Sequence, residues 1–315
     1  MTLHFTDEEI LAARPQRNPV DPKLPYHFLV EPEFGPGGQL LNTATIFLTN
    51  RECPFRCLMC DLWKNTTETS VPVGAVPEQI RHALERLPAA TQLKLYNSGN
   101  FFDPKAIPRE DLTEIANLAG NYETLIVENH PKLCSDQCGE FQQRCGTQLE
   151  VAMGLETSEP AVLATLNKRM TVDDFKQACN RLLNQEIRIR SFVLLRPPGV
   201  SEDEGIKQAL NSLRFAFDCG VDCCSIIPVR SGNGIMEQLQ RDGRFTGPAL
   251  RSLEFVQQEA LTWNRGRVFS DLWEIDRFAD CLECATERIE RIRRMNLTQR
   301  ISNSIACDAC DRQNL

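Results

Sequence analysis

The sequence predicts an α/β protein whose parallel sheet, once curved, becomes a partial (β/α)6 TIM-like barrel. Three observations predict it. Short apolar strands alternate with amphipathic helices from Ala44 to about residue 263, and that alternation builds a parallel sheet with right-handed crossovers. The 315 residues suffice for one barrel domain with appendages. A loop carrying three cysteines follows the first strand, at the end where barrel enzymes place their sites.

Taken in order, residues 1–42 form an irregular leader. Pro15, Pro19, Pro22, Pro25, Pro32 and Pro36 preclude long helices there. The segment Tyr26-His27-Phe28-Leu29-Val30 is too apolar to hang free, so the leader is expected to wrap across the main domain before ending in the turn at Gly35-Pro36-Gly37-Gly38. The run Thr45-Ile46-Phe47-Leu48-Thr49 reads as a buried strand over 44–49. A helix begins near Pro77, a favoured first helical residue, with Ile80, Ala83, Leu84 and Leu87 on one face. A second strand over 92–96 ends at Asn97-Ser98-Gly99-Asn100, followed by a helix over 109–119. The third strand is 124–128, and a helix is expected over 131–145. The fourth strand, 149–155, ends at Glu156-Thr157, and helical segments follow at 159–166 and 171–185. A fifth strand over 187–195, a helix over 202–218, a sixth strand over 223–229 and a helix over 248–263 complete the core. These boundaries divide the chain into a leader (1–42), a barrel core (43–265) and a small Cys-rich C-terminal extension (266–315).

Composition is that of an ordinary globular chain, 42% apolar and 25% charged. No run of eighteen apolar residues occurs, and Met1 to Arg14 lacks an apolar stretch flanked by basic residues. The expectation is a cytoplasmic protein with neither membrane span nor secretion signal. In a reducing compartment, fourteen cysteines point to metal ligation rather than disulfides. The formal charge of −8 argues against a chain that grips nucleic acid alone. Arg288, Arg291, Arg293 and Arg294 are interleaved with Glu287 and Glu290, a pattern of a salt-bridged helix.

The most specific signal is Cys53, Cys57 and Cys60, spaced C-x3-C-x2-C within Arg51-Glu52-Cys53-Pro54-Phe55-Arg56-Cys57-Leu58-Met59-Cys60-Asp61. Thiolates hold iron–sulfur clusters, and a cubane has four irons to ligate, so three cysteines leave one iron open. A zinc loop suits the compact triad poorly, since zinc favours C-x2-C pairs. The spacing resembles the signature of the radical S-adenosylmethionine (radical SAM) superfamily, whose core is a partial barrel of this type. The resemblance implies a [4Fe-4S] cluster on the three cysteines and SAM chelated at its open iron. It further implies a SAM amino-group contact at Ser98, Gly99 and Asn100, and a ribose contact at Glu156 and Thr157. Lys168, within Asn167-Lys168-Arg169-Met170, is similar to a cationic position that meets the SAM carboxylate, and Arg190 or Arg196 is expected to hold an anionic group of SAM or substrate. Relatives commonly place an aromatic before the last cysteine to pack on adenine, whereas this chain has Met59, whose sulfur tolerates aromatic contact. Asn100 likewise stands where relatives often have an acid. His130, after the third strand, fits either acid–base work or a helix cap, and Arg230 is a candidate substrate contact.

Of the remaining cysteines, Cys134, Cys138 and Cys145 share a helix face with Phe141 and read as core. Cys179, Cys219, Cys223 and Cys224 also read as core. Cys281-Leu282-Glu283-Cys284 and Cys307-Asp308-Ala309-Cys310 form two C-x2-C pairs, a strong metal signal similar to a zinc ribbon. Zinc and an auxiliary Fe–S cluster both fit. The segments Tyr96 to Pro104, Gly154-Leu155-Glu156-Thr157 and Leu166-Asn167-Lys168 resemble the Elp3/MiaB/NifB-type core and, within it, the radical SAM subunit family of archaeosine synthase. That resemblance implies reductive SAM cleavage by an external electron donor, with a modified tRNA base reached through a partner protein as substrate. A small metabolite or peptide substrate is the alternative, and a non-catalytic metal-stabilised adaptor is the alternative of another class.

Overall fold

The computed structural model describes residues 3–313, with side chains through 310. In chain order the elements are α1 (Asp7–Ala12), β1 (His27–Phe34), β2 (Leu40–Phe47), α2 (Ala75–Leu84), β3 (Gln92–Tyr96), α3 (Leu112–Ala119), β4 (Thr124–Glu128), α4 (Gln137–Cys145) and β5 (Gln148–Glu156). They continue as α5 (Pro160–Thr165), α6 (Val172–Leu183), β6 (Arg188–Leu195), α7 (Glu202–Asp218), β7 (Cys223–Pro228), α8 (Ile235–Arg241), α9 (Leu250–Thr262), β8 (Arg267–Ser270), α10 (Ala285–Thr298) and α11 (Asp308–Gln313). The eight strands form one sheet in the order of the chain. Strands β2 to β8 run parallel, and β1 lies antiparallel on β2. The six expected β/α units are β2 to β7, and the curled sheet is a partial TIM-like barrel. Among the described residues, no helix is long and apolar enough to cross a membrane.

Alternation along the strands separates two environments. In β3, Leu93 and Leu95 join the main core beneath the helices, with Ile80, Ile115 and Phe141. Each such side chain contributes roughly 1.5–3 kcal/mol on burial. Lys94, between them, points the other way and pairs with Glu33 of β1. The same inward face carries Glu150 and Arg190, 2.7 Å apart, with Arg267 of β8 2.7 Å from Glu150 and Arg190 2.6 Å from Glu33. The barrel interior is therefore a buried ionic network, and each charge survives burial because it is paired.

The leader is more ordered than expected. Its apolar segment becomes β1, joined to β2 by the Gly35–Gly38 turn, where Gly38 adopts φ 83°, a conformation glycine tolerates. Pairing with β1 extends β2 back to Leu40, whereas the sequence pattern alone starts it at Ala44. Thr6 and Glu9 form a capping box that starts α1 despite the nearby prolines. Leu3 and Ile10 then pack on a second apolar cluster with Leu58, Leu166, Leu194 and Val229, across the C-terminal ends of the strands. The helix expected over 131–145 splits into a single turn at Pro131–Leu133 and α4. The sequence pattern does not show α8, inside the expected core, or the short strand β8, just beyond it.

Candidate functional site

The three cysteines of the 53–60 loop sit just after β2, and groups from four other segments fix the loop and its approach. From α2, Gln79 receives the Thr49 amide at 2.8 Å and donates to the Thr49 carbonyl at 2.7 Å, steering the chain out of the strand. Asn233, after β7, donates to the carbonyls of Leu58 (2.7 Å) and Cys60 (3.1 Å). Asn167 donates to the Arg56 carbonyl at 2.8 Å, and the Leu58 amide donates to the Leu166 carbonyl at 2.9 Å. From the leader, Arg14 and Arg17 pair with Glu52, which Arg56 also approaches at 3.1 Å. Burial pushes the Glu52 carboxyl up, but hydrogen bonds from Arg14 and Arg17 outweigh it and hold it below its ordinary pKa.

All three thiols are half-buried. Burial pushes Cys53 up and Cys57 up to about 12, and burial with the help of Cys57 and Asp61 raises Cys60 well above the ordinary thiol range. As thiols alone, these groups stay protonated; a metal cation reverses that, because a coordinated thiol is deprotonated. Three soft donors on one short loop fit three corners of an iron–sulfur cubane. Asn100 donates to Cys53 Sγ at 3.2 Å, the kind of contact that tunes such a centre.

The post-β3 turn lies against this loop. A Cβ on Gly99 would stand 3.4 Å from Cys53 Cβ, so a larger side chain there would reach into the cysteine loop. Ser98 holds φ 51° and its hydroxyl lies 3.1 Å from Tyr26 Oη of the leader. Glu128, at the end of β4, accepts the Asn97 amide at 3.1 Å, and burial pushes its carboxyl up to about 7.

At the end of β5 the register with β6 shifts between Gly154 and Glu156. This irregularity, with Glu156 at φ 66°, re-aims its carboxylate as bulges do. Lys168 pairs with it. Burial disfavours the Lys168 charge, but Glu156 and then Cys57 outweigh that and hold the ammonium above its ordinary pKa. Gly154 leaves the room: a Cβ there would come within 2.3 Å of Lys168 Nζ. Thr157 is buried, and its hydroxyl accepts the Glu159 amide at 3.1 Å. Met59, half-buried, packs against the second apolar cluster.

Other expectations meet different partners. Arg190 is engaged by Glu33 and Glu150 inside the barrel, and Arg196 donates to the Gly247 carbonyl at 2.8 Å and pairs with Glu202. Both guanidiniums therefore have carboxylate partners within the protein. Arg230 is likewise held by Asp271 and, at 2.6 Å, the Trp273 carbonyl. His130 caps the turn at Pro131–Leu133. Its Nδ1 accepts the Lys132 amide (3.2 Å), so Nε2 carries the proton and donates to the Lys168 carbonyl (3.1 Å). Burial and then the Lys168 charge push its pKa down to about 3, and it stacks on Phe55 at 3.8 Å. Cys134, Cys138 and Cys145 are core, packed with Phe141. Of the basic stretch in α10, Arg288 and Arg291 are buried on Glu254 of α9, and Arg293 pairs with Glu290 at 2.8 Å. At the tail, the sulfurs of Cys281, Cys284, Cys307 and Cys310 all lie within 4.8 Å of one another.

The anchors that sequence reasoning overlooked are Gln79, Glu52 and Asn233. Only Glu52, a carboxylate inside the motif, offered a visible signal; the other two act on backbone carbonyls of a distant segment.

No family model matches the chain. It is 23% identical to an uncharacterized protein of Methanocaldococcus jannaschii over 82% of its own length and 77% of that protein. It is 22% identical to archaeosine synthase subunit beta of Methanosarcina acetivorans over 83% of this chain and 80% of that one. To archaeosine synthase subunit beta of Thermococcus kodakarensis it is 25% identical over 50% of this chain, spanning 51% of that protein. Among solved structures, Elp3 of Methanocaldococcus infernus superposes with a TM-score of 0.52 at 15% identity, covering 70% of this chain and 59% of that one. SuiB of Streptococcus suis also gives 0.52, at 12% identity, covering 85% of this chain and 54% of that one. The chain thus spans a little over half the length of these two solved structures, and the likeness establishes the partial-barrel fold.

Proposed function

We propose that the chain is a radical SAM enzyme, with Cys53, Cys57 and Cys60 holding a [4Fe-4S] cluster whose fourth iron chelates SAM. The observation that carries this reading is the convergence of three desolvated thiols with Asn100, Gly99 and the Lys168–Glu156 pair at the C-terminal ends of the strands. Held there, a [4Fe-4S] cluster with SAM would supply one-electron radical chemistry, given an external electron donor, for taking hydrogen from a substrate. The chain's own part is positional. Asn233, Asn167 and Gln79 fix the loop, Asn100 donates to a cluster sulfur, and Ser98, Gly99 and Asn100 line the approach for the SAM amino group. Glu156 is the ribose acceptor and Lys168 the cation facing the methionine carboxylate. Thr157 shapes the turn behind Glu156, Met59 offers a polarizable flank to adenine, and Leu3 and Ile10 cover the apolar side against water.

For the substrate we favour a modified tRNA base. Two relatives bear the name archaeosine synthase subunit beta, and a chain of net charge −8 fits an RNA grip supplied by a partner protein. The test is anaerobic reconstitution with iron and sulfide, reduction with dithionite and assay for 5′-deoxyadenosine. The nucleoside should form in the native chain and fall to background in a Cys53→Ala/Cys57→Ala/Cys60→Ala variant. Product persisting in that variant refutes the assignment.

A further inference from the structure

We infer that the four tail cysteines form a closed site for a single zinc ion, whose purpose is to hold α10 across the open side of the barrel. Cys281 Sγ lies 3.8 Å from Cys307 Sγ, and Cys284 Sγ lies 3.6 Å from Cys310 Sγ. Four sulfurs at about 2.3 Å from one tetrahedral ion stand about 3.8 Å from each other. A cubane puts each thiolate on a different iron, and a [2Fe-2S] cluster splits them over two irons; either spreads the four sulfurs wider than the 4.8 Å that spans them all here, so the spacing fits one ion better than an auxiliary cluster. Four thiolates leave no open position for a substrate. Among tetrahedral ions, zinc outcompetes ferrous iron for such a site.

A second observation concerns charge. Zinc with four thiolates carries two net negative charges, and Arg288 donates its Nε–H to Cys284 Sγ at 3.1 Å while pairing with Glu254 of α9. That outer contact orients a ligand in the manner of metal sites, and it ties the site to the body of the protein.

The consequence follows from where α10 goes. The sheet is open, and α10, whose N-cap is Cys284, packs on both of its edge strands, β1 and β8. Its amide side chains finish the edge of β8. Asn296 accepts the Ser270 amide at 2.9 Å and donates to the Ser270 carbonyl at 2.9 Å. Gln299 does the same for Val268, at 2.6 and 3.0 Å. Together they replace a ninth strand, meeting the backbone groups an edge otherwise leaves bare.

The experiment measures zinc, iron and acid-labile sulfide in the full chain, in the Cys53→Ala/Cys57→Ala/Cys60→Ala variant and in a Cys307→Ser/Cys310→Ser variant. One zinc per chain is expected in the first two, with no iron or sulfide in the loop variant, and zinc is lost from the tail variant. Iron or sulfide in the loop variant, or no zinc there, overturns the inference. If the tail variant is insoluble, cobalt exchanged into the intact chain reads the site: visible bands of a tetrahedral tetrathiolate support it, and their absence overturns it. Hydrogen exchange then tests the purpose. Chelating the zinc should speed exchange at the Val268 and Ser270 amides by roughly tenfold or more; unchanged rates there refute the closure role. Because the zinc readout is made without the loop cysteines, failure of the radical SAM reading leaves it untouched.

Discussion

Asn100 serves two partners with one amide: its Nδ2 donates to Cys53 Sγ at 3.2 Å, and its Oδ1 accepts the His130 amide at 2.7 Å. Hydrogen bonds to cluster sulfurs raise reduction potentials, so Asn100→Ala should lower the potential of the reconstituted cluster by tens of millivolts in a redox titration monitored by EPR. Glu128 supplies a pH signature. Its carboxyl is pushed by burial from the ordinary 4.5 to about 7, so the folded state binds that proton more tightly than the unfolded state. Stability is therefore lost as pH rises from about 4.5 through 7, by on the order of 3 kcal/mol. Urea denaturation at pH 5 and pH 8 should show that loss in the native chain and not in Glu128→Gln, whose amide oxygen still accepts from Asn97. The cysteine triad stood out because metal chemistry demands a spacing. The partners of Arg190 were not legible, because alternation shows that a side chain faces the barrel but not that Glu33 and Glu150 wait there; Glu33 lies in the leader, 157 residues away.

At the scale of elements, the parallel strands were readable where apolar and turn residues bound them. The strands over 92–96 and 124–128 have the expected limits. The missed elements are those whose stability is borrowed. Strand β8 is four residues long and exists through pairing with β7 on one side and the α10 amides on the other. Helix α1 depends on the apolar cluster beneath it. Asn296 tests the borrowed edge: Asn296→Ala leaves the Ser270 amide and carbonyl without their partners, and should destabilise the fold by roughly 2–4 kcal/mol. Chemical denaturation measures the loss, and a change below about 0.5 kcal/mol, the scale of an inert surface substitution, would contradict the edge role.

Across the whole molecule, the leader, the cysteine loop and the barrel interior are one mechanical system. Glu33 of β1 pairs with Lys94 of β3 and Arg190 of β6, so the antiparallel edge strand is tied to the far side of the sheet through its hollow. Burial pushes the Glu33 carboxyl up, but Arg190 and Lys94 outweigh it and hold it well below the ordinary carboxylate range. Its stabilisation is present above the unfolded pKa near 4.5 and lost as pH falls below it. Glu33→Ala, which leaves Lys94 without a partner in the core, should cost roughly 3–5 kcal/mol in denaturation at pH 7. Nearer the start of the chain, Arg14 and Arg17 clamp Glu52 beside Cys53, so the same leader that is tied across the hollow of the sheet also seats the loop. The most direct measurement of the central claim is the EPR spectrum of the reconstituted, dithionite-reduced chain with and without SAM. Adding SAM should alter the g-values, because its amino and carboxylate groups would take the iron that no cysteine holds. Superimposable spectra, with a cluster present and SAM in excess, would contradict it.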